Sequence, residues 1–83
     1  MEMDDLRTRL VEYIAREINI PAESIVDDVP LRELGVDSLG AILIVAWLEE
    51  TLHLTIPEAI ISRVSTIRQI LTAVATELAA ARL

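Results

Sequence analysis

The chain contains no cysteine, no lysine and no phenylalanine, and it has only two glycines and three prolines. Without cysteine there is no disulfide framework and no thiolate zinc site, and a single histidine, His53, cannot form an imidazole cluster. A resident metal is therefore not expected. The absence of lysine, with the seven arginines scattered, leaves no basic patch to attract nucleic acid or an anionic membrane surface. The longest run of glycine and apolar residues, Leu39 to Leu48, is half of what a bilayer demands. The start Met-Glu-Met-Asp-Asp lacks the basic and apolar stretches of a secretion signal, so a cytoplasmic protein is expected.

What remains is short, apolar and acidic. The 83 residues, expected to form one domain over 1–83, carry a net charge of −7, and 53% are hydrophobic while only Tyr13 and Trp47 are aromatic. A domain of this size buries roughly 60 to 65% of its extended-chain surface, enough for one modest core and no deep cleft. Leu, Ile, Val and Ala must build that core, which favours helices packed on one another. The excess acid keeps a small apolar domain soluble and suits partners with basic surfaces.

Periodicity places the helices. Leu6, Leu10, Val11, Ile14 and Ile18 form one stripe, with Asp4 or Asp5 placed to cap it and Asn19-Ile20-Pro21 to end it. A long connection follows to Gly35, pinned to the core by Ile25, Val29, Leu31 and Leu34. The second long helix is expected from Asp37 or Ser38 to about Leu52, with Ala41, Ile44, Val45, Leu48 and Leu52 on its core face. Its outer face is also apolar, carrying Leu39, Leu43 and Ala46 beside Glu50, with Gly40 and Trp47 at the edges. A small domain cannot bury both sides, so the outer side reads as a contact surface. Pro57 opens a short third helix to about Ser62, and Ser65 or Thr66 caps a fourth, striped by Ile67, Ile70, Leu71, Val74 and Leu78.

Chemistry concentrates at Leu34-Gly35-Val36-Asp37-Ser38-Leu39. A glycine turns the chain, and one serine is delivered to an exposed first helical turn, where unpaired amides and the helix dipole favour an anionic group. Taken alone, an Asp-Ser pair at a helix start is most often only an N-cap. The wider segment resembles the modification motif of acyl carrier proteins, whose Leu-Gly-x-Asp-Ser-Leu core precedes their second helix. Pro30-Leu31-Arg32-Glu33-Leu34 looks like the approach found in polyketide-synthase carriers, and Leu48-Glu49-Glu50 followed by Ile56-Pro57 looks like the end of the family's second helix and start of its third.

The resemblance covers essentially the whole chain and implies an all-α, four-helix carrier bundle: three longer helices, one short third helix, and a long loop between the first two. It implies that Ser38 receives 4′-phosphopantetheine from coenzyme A through a phosphopantetheinyl transferase, with Asp37 and Leu39 helping to present it. Acyl groups would ride on the arm's thiol as thioesters, so that a cysteine-free protein does thiol chemistry without being an enzyme. Ile42, Val45 and Leu48 would line or close a sheltering cavity. The implied partners are acyl-loading enzymes, ketosynthases or other tailoring enzymes, met by a monomeric carrier.

Bacterial fatty-acid carriers usually show acidic residues where this chain has Gly40 and Leu43. Recognition is therefore expected through Leu43, Ala46 and Trp47, with Glu49 and Glu50 at the far end, in a specialised polyketide or fatty-acid-like pathway. Val36-Asp37 leans away from peptidyl carriers, which generally have glycine before His or Asp, although a free-standing peptidyl carrier remains the alternative. An interaction module without a prosthetic group is a further one. A serine hydrolase is disfavoured, because His53 lies about four helical turns, roughly 20 Å, from Ser38; it reads as a solvated residue at a helix end.

Overall fold

The computed structural model describes residues 2–57 and 60–81. Three long helices, α1 (Met3–Ile18), α3 (Ser38–Leu52) and α4 (Ile67–Ala81), are joined by irregular segments. The first of these contains a single 3-10 turn, Ala22–Ser24, and the one-turn helix α2, Leu31–Leu34. Among the described residues the regular structure is all helical, as the apolar stripes at helical spacing predict. Leu6, Leu10 and Ile14 of α1, Leu48 of α3, and Ile67, Ile70 and Val74 of α4 are almost fully buried in one cluster with Leu31. At about 25 cal/mol per Å² of apolar surface removed from water, this aliphatic cluster is the main stabilising element. None of the described helices is long and apolar enough to cross a membrane.

Helix ends show where the sequence reading needs correction. Asp4 and Asp5 do not cap α1: the helix begins at Met3 with Glu2 at the cap position, and both aspartates lie in its first turn. There their charges complement the dipole without closing a cap hydrogen bond. Asn19 ends α1 in the left-handed region (φ 57°), so the helix stops before Pro21 is reached. The second correction concerns the first loop. A one-turn helix stands inside the first loop, at Leu31–Leu34, whereas the short helix expected from Pro57 to Ser62 includes Glu58 and Ala59, which lie outside the described residues. Just after them Ile60 is in 3-10 conformation, its amide donating to Pro57 O at 3.1 Å, and further on the Ser65 amide donates to Ser62 O at 3.0 Å.

The fourth helix starts as expected at Thr66, by a reciprocal cap. The Gln69 amide donates to Thr66 Oγ1 at 3.1 Å and the Thr66 amide to Gln69 Oε1 at 3.0 Å. Ser65 instead accepts the Ser62 amide on its hydroxyl at 3.1 Å, folding the segment that precedes the helix.

The long first loop is fixed at several points. Arg7 forks onto Asp27, its Nε 3.0 Å from both carboxylate oxygens, and Arg68 reaches Asp28 at 2.7 Å while its amide donates to Asp27 O at 3.1 Å. Further along, the Leu31 amide donates to Ser65 O at 2.9 Å and the Arg32 amide to Arg63 O at 2.7 Å. α2 is thus joined to the segment entering α4, and this holds the loop that delivers Ser38.

Candidate functional site

The site is built where α2 ends and α3 begins. Gly35 closes α2 at φ 106°, a left-handed value that glycine adopts without the steric cost of a side chain. Val36 then turns inward and is buried, its amide donating to Leu31 O at 3.0 Å. The next residue, Asp37, is extended and caps α3, its Oδ1 accepting the Gly40 amide at 2.7 Å. Ser38 is therefore the first residue inside the helix and not its cap. Its side chain is exposed, and no hydrogen bond from its hydroxyl occurs among the described residues.

Gly40 has a local reason. A Cβ there would stand 2.9 Å from Val36 Cγ1 and 3.3 Å from Asp37 Oδ1, the atoms that set the turn and the cap. Glycine at this position thus lets Val36 pack against the helix start.

An open cavity of about 700 Å³ is lined by Ser38 and runs between α3 and residues 55–56 and 61–64. Ala41, Ile42 and Val45 form its α3 wall, and Ile56, Ile61 and Val64 face them. Of the three residues expected to line or close it, Ile42 and Val45 line it, and Leu48 is not part of the lining. Leu48 is fully buried among α1 and α4 residues, one helical turn beyond Ala41–Val45 on the core side. Glu49 also lines the cavity, and its Oε2 accepts the Ile56 amide at 2.9 Å, tying the facing segment to α3. Arg63 is also part of the lining.

The outer side of α3 is apolar, as its sequence suggests. Leu39 and Ile42 are 62% and 61% exposed, Leu43 is 40% exposed, and Ala46 is also on the surface. Trp47 is half-buried, stacked on Tyr13 of α1 with ring centroids 5.1 Å apart and planes 16° from parallel. The Tyr13 hydroxyl donates to Leu43 O at 3.4 Å, and burial, with the Glu17 carboxylate adding to it, raises the phenol above its ordinary pKa. Glu50 is exposed, and His53 ends α3 in the left-handed region as a solvated residue.

Sequence reasoning did not find α2, although Pro30 before four good helix formers and Gly35 after them is the usual proline-start, glycine-stop pattern. Nor did it find Arg63, for which sequence offers no signal, because its place in the same cavity lining as Ser38 depends on how the chain returns.

The residues present suit a phosphopantetheine ester. Ser38 offers an exposed hydroxyl with no capping role, at the mouth of a largely apolar cavity, while Asp37 keeps the helix start intact. Residues 8–74 match the family described as "Phosphopantetheine attachment site". The chain is also 28% identical over 72 residues to an acyl carrier protein of Saccharopolyspora erythraea, a match covering 86% of this chain and 76% of that protein. No solved structure matches. With a helical architecture, a free serine at the motif position and a family match over most of its length, the chain belongs to the phosphopantetheine-binding family of acyl carrier proteins, and its prosthetic group is a covalently attached 4′-phosphopantetheine.

Proposed function

We propose that Ser38 is the attachment residue and that the chain, acting as one carrier domain in the cytoplasm, shuttles acyl intermediates between enzymes of a specialised polyketide or fatty-acid-like pathway. The observation that carries this reading is the division of labour at the start of α3: Asp37 caps, so the neighbouring hydroxyl is free to react. A phosphopantetheinyl transferase joins Ser38 Oγ to the phosphorus of the pantetheine arm of coenzyme A. The pyrophosphate bond breaks, adenosine 3′,5′-bisphosphate leaves, and the hydroxyl proton passes to solvent or the transferase. The bound arm supplies a thiol on which acyl groups are held as thioesters. The chain itself contributes no catalytic residue; it orients the arm and offers the cavity beside Ala41, Ile42 and Val45 as shelter for an apolar chain.

Asp37 and Leu39 present the serine to the transferase, while Leu43, Ala46 and the exposed edge of Trp47 meet acyl-loading enzymes, ketosynthases or tailoring enzymes, with Glu50 as the charged end of the contact. Glu49, tied to Ile56, acts mainly through the shape of that end. Support for a specialised pathway comes from this apolar face, which carries Gly40 and Leu43 where fatty-acid carriers carry acids, and Val36-Asp37 favours acyl over aminoacyl cargo.

The absence of cysteine provides a direct assay. After incubation with coenzyme A and a broad-specificity transferase, then removal of small molecules, a thiol reagent should find one thiol per chain where there was none. A chain that stays thiol-free with several competent transferases would contradict the proposal.

A further inference from the structure

We infer that Arg63 is a positioning residue for the phosphodiester on Ser38, holding the root of the arm on the cavity side of α3. The inference rests on Ser38 as the attachment site. Ser38 and Arg63 line the same cavity, one from the first turn of α3 and the other from the segment facing it. The backbone that carries Arg63 is joined to the motif loop itself, since Arg63 O accepts the Arg32 amide and Ser65 O accepts the Leu31 amide. The guanidinium is thereby supplied from a main chain registered against the serine it would serve.

Charge points the same way. A phosphodiester places a permanent negative charge next to the Asp37 carboxylate, and two like charges so close call for a counter-charge. Arg7 and Arg68 are engaged by Asp27 and Asp28, and Arg63 is in neither ion pair. The acid lining the cavity, Glu49, is held by the Ile56 amide. Arg32 stands on α2 and does not line the cavity, although it is a near neighbour in the fold. Arginine suits the task, because its donors form a fork that matches phosphate oxygens. An arm rooted towards Arg63 starts beside Ile42 and Val64 at the cavity mouth, and not over Leu39 and Leu43.

The test uses mass-verified holo protein and the ³¹P resonance of the arm. In wild type the resonance should move towards that of a phosphopantetheinyl-serine peptide as salt rises from about 0.01 M to about 1 M, over which the screening length falls from about 30 to about 3 Å. Arg63→Gln should start near the peptide position and lose most of that salt dependence. Arg63→Lys should retain part of it, and Arg32→Gln should behave as wild type. A wild-type resonance insensitive to salt, an Arg63→Gln spectrum superimposable on wild type, or equal shifts in Arg63→Gln and Arg32→Gln would overturn the inference while leaving the attachment reading standing. Should Arg63→Gln not fold, judged by the fluorescence of Trp47, the wild-type salt series decides alone. Failure to obtain any holo protein overturns the attachment reading, and the inference with it.

Discussion

Asp37 Oδ1 accepts the Gly40 amide at 2.7 Å, and this one bond determines which residue of the Asp-Ser pair is structural. Replacing Asp37 by alanine should cost about 1 kcal/mol of stability, the usual worth of a cap. Asparagine at the same position caps as well as aspartate but carries no charge. Asp37→Asn should therefore keep wild-type stability in urea unfolding, and any fall in its rate of phosphopantetheine transfer measures the role of the charge in presentation. Equal destabilisation by the two substitutions would show that the cap is not the source of the effect.

Gly40 should resist replacement by a better helix former. Alanine gains up to about 1 kcal/mol of propensity over glycine within a helix, but its Cβ would stand 2.9 Å from the buried Val36 side chain, and overpacking of this kind costs about 1 to 3 kcal/mol. Gly40→Ala should then lower stability by about 1 kcal/mol in urea unfolding. A stabilised variant would mean that Val36 shifts freely, and that the turn is softer than its packing indicates.

Tyr13 and Trp47 connect α1 to α3 through their stacked rings. A double-mutant cycle with Tyr13→Ala and Trp47→Ala should show a coupling of about 1 kcal/mol, typical of aromatic pairs. Additive effects would release Trp47 from this structural tie and make it a freer partner contact.

The ion pair between Arg7 and Asp27 gives a signed pH dependence. Hydrogen bonding from Arg7 holds the Asp27 carboxyl below its ordinary value, against a smaller opposing effect of burial. Asp28 is lowered in the same direction by Arg68. A carboxyl with a depressed folded-state pKa stabilises above its unfolded value of about 3.9, and that contribution is lost as pH falls through the folded value. Asp27→Asn should thus cost up to about 1 kcal/mol at neutral pH, as expected for a partly exposed pair, with the difference from wild type shrinking below about pH 4. Thermal unfolding of both proteins at pH 7 and pH 3 checks this; a difference that persists unchanged at the lower pH would remove the ion pair as its cause.

Leu43→Glu tests the outer face. The side chain is partly exposed and the Tyr13 hydroxyl bonds only the main-chain oxygen, so stability should stay within about 0.5 kcal/mol of wild type. Loading by a cognate acyl-transferring partner should fall about tenfold or more, corresponding to about 1.4 kcal/mol of lost contact. Undiminished loading would move the partner surface elsewhere.

The three long helices and the start of α3 at Asp37 were legible because a 3.6-residue stripe and a cap are local signals. Leu6, Leu10 and Ile14, or Ile67, Ile70 and Val74, declare their buried face without knowledge of the partner helix. Relationships across the fold were not legible. Asp27 meets Arg7 across 20 positions and Asp28 meets Arg68 across 40, and no periodicity links such pairs. That Leu48 belongs to the core and not to the cavity lining was not legible for a related reason: one face of α3 serves both core and cavity, and only the packed fold shows where one gives way to the other. Ser38 itself was found through its motif, while its freedom from capping became visible only in the geometry.

The central claim is that Ser38 carries the arm, and intact-mass measurement after incubation with coenzyme A and a broad-specificity transferase tests it most directly. Wild type should gain the mass of one 4′-phosphopantetheine, and Ser38→Ala, which keeps the Asp37 cap and should remain within about 0.5 kcal/mol of wild-type stability, should gain none. No gain on wild type with several competent transferases, or the same gain on Ser38→Ala, would contradict the account.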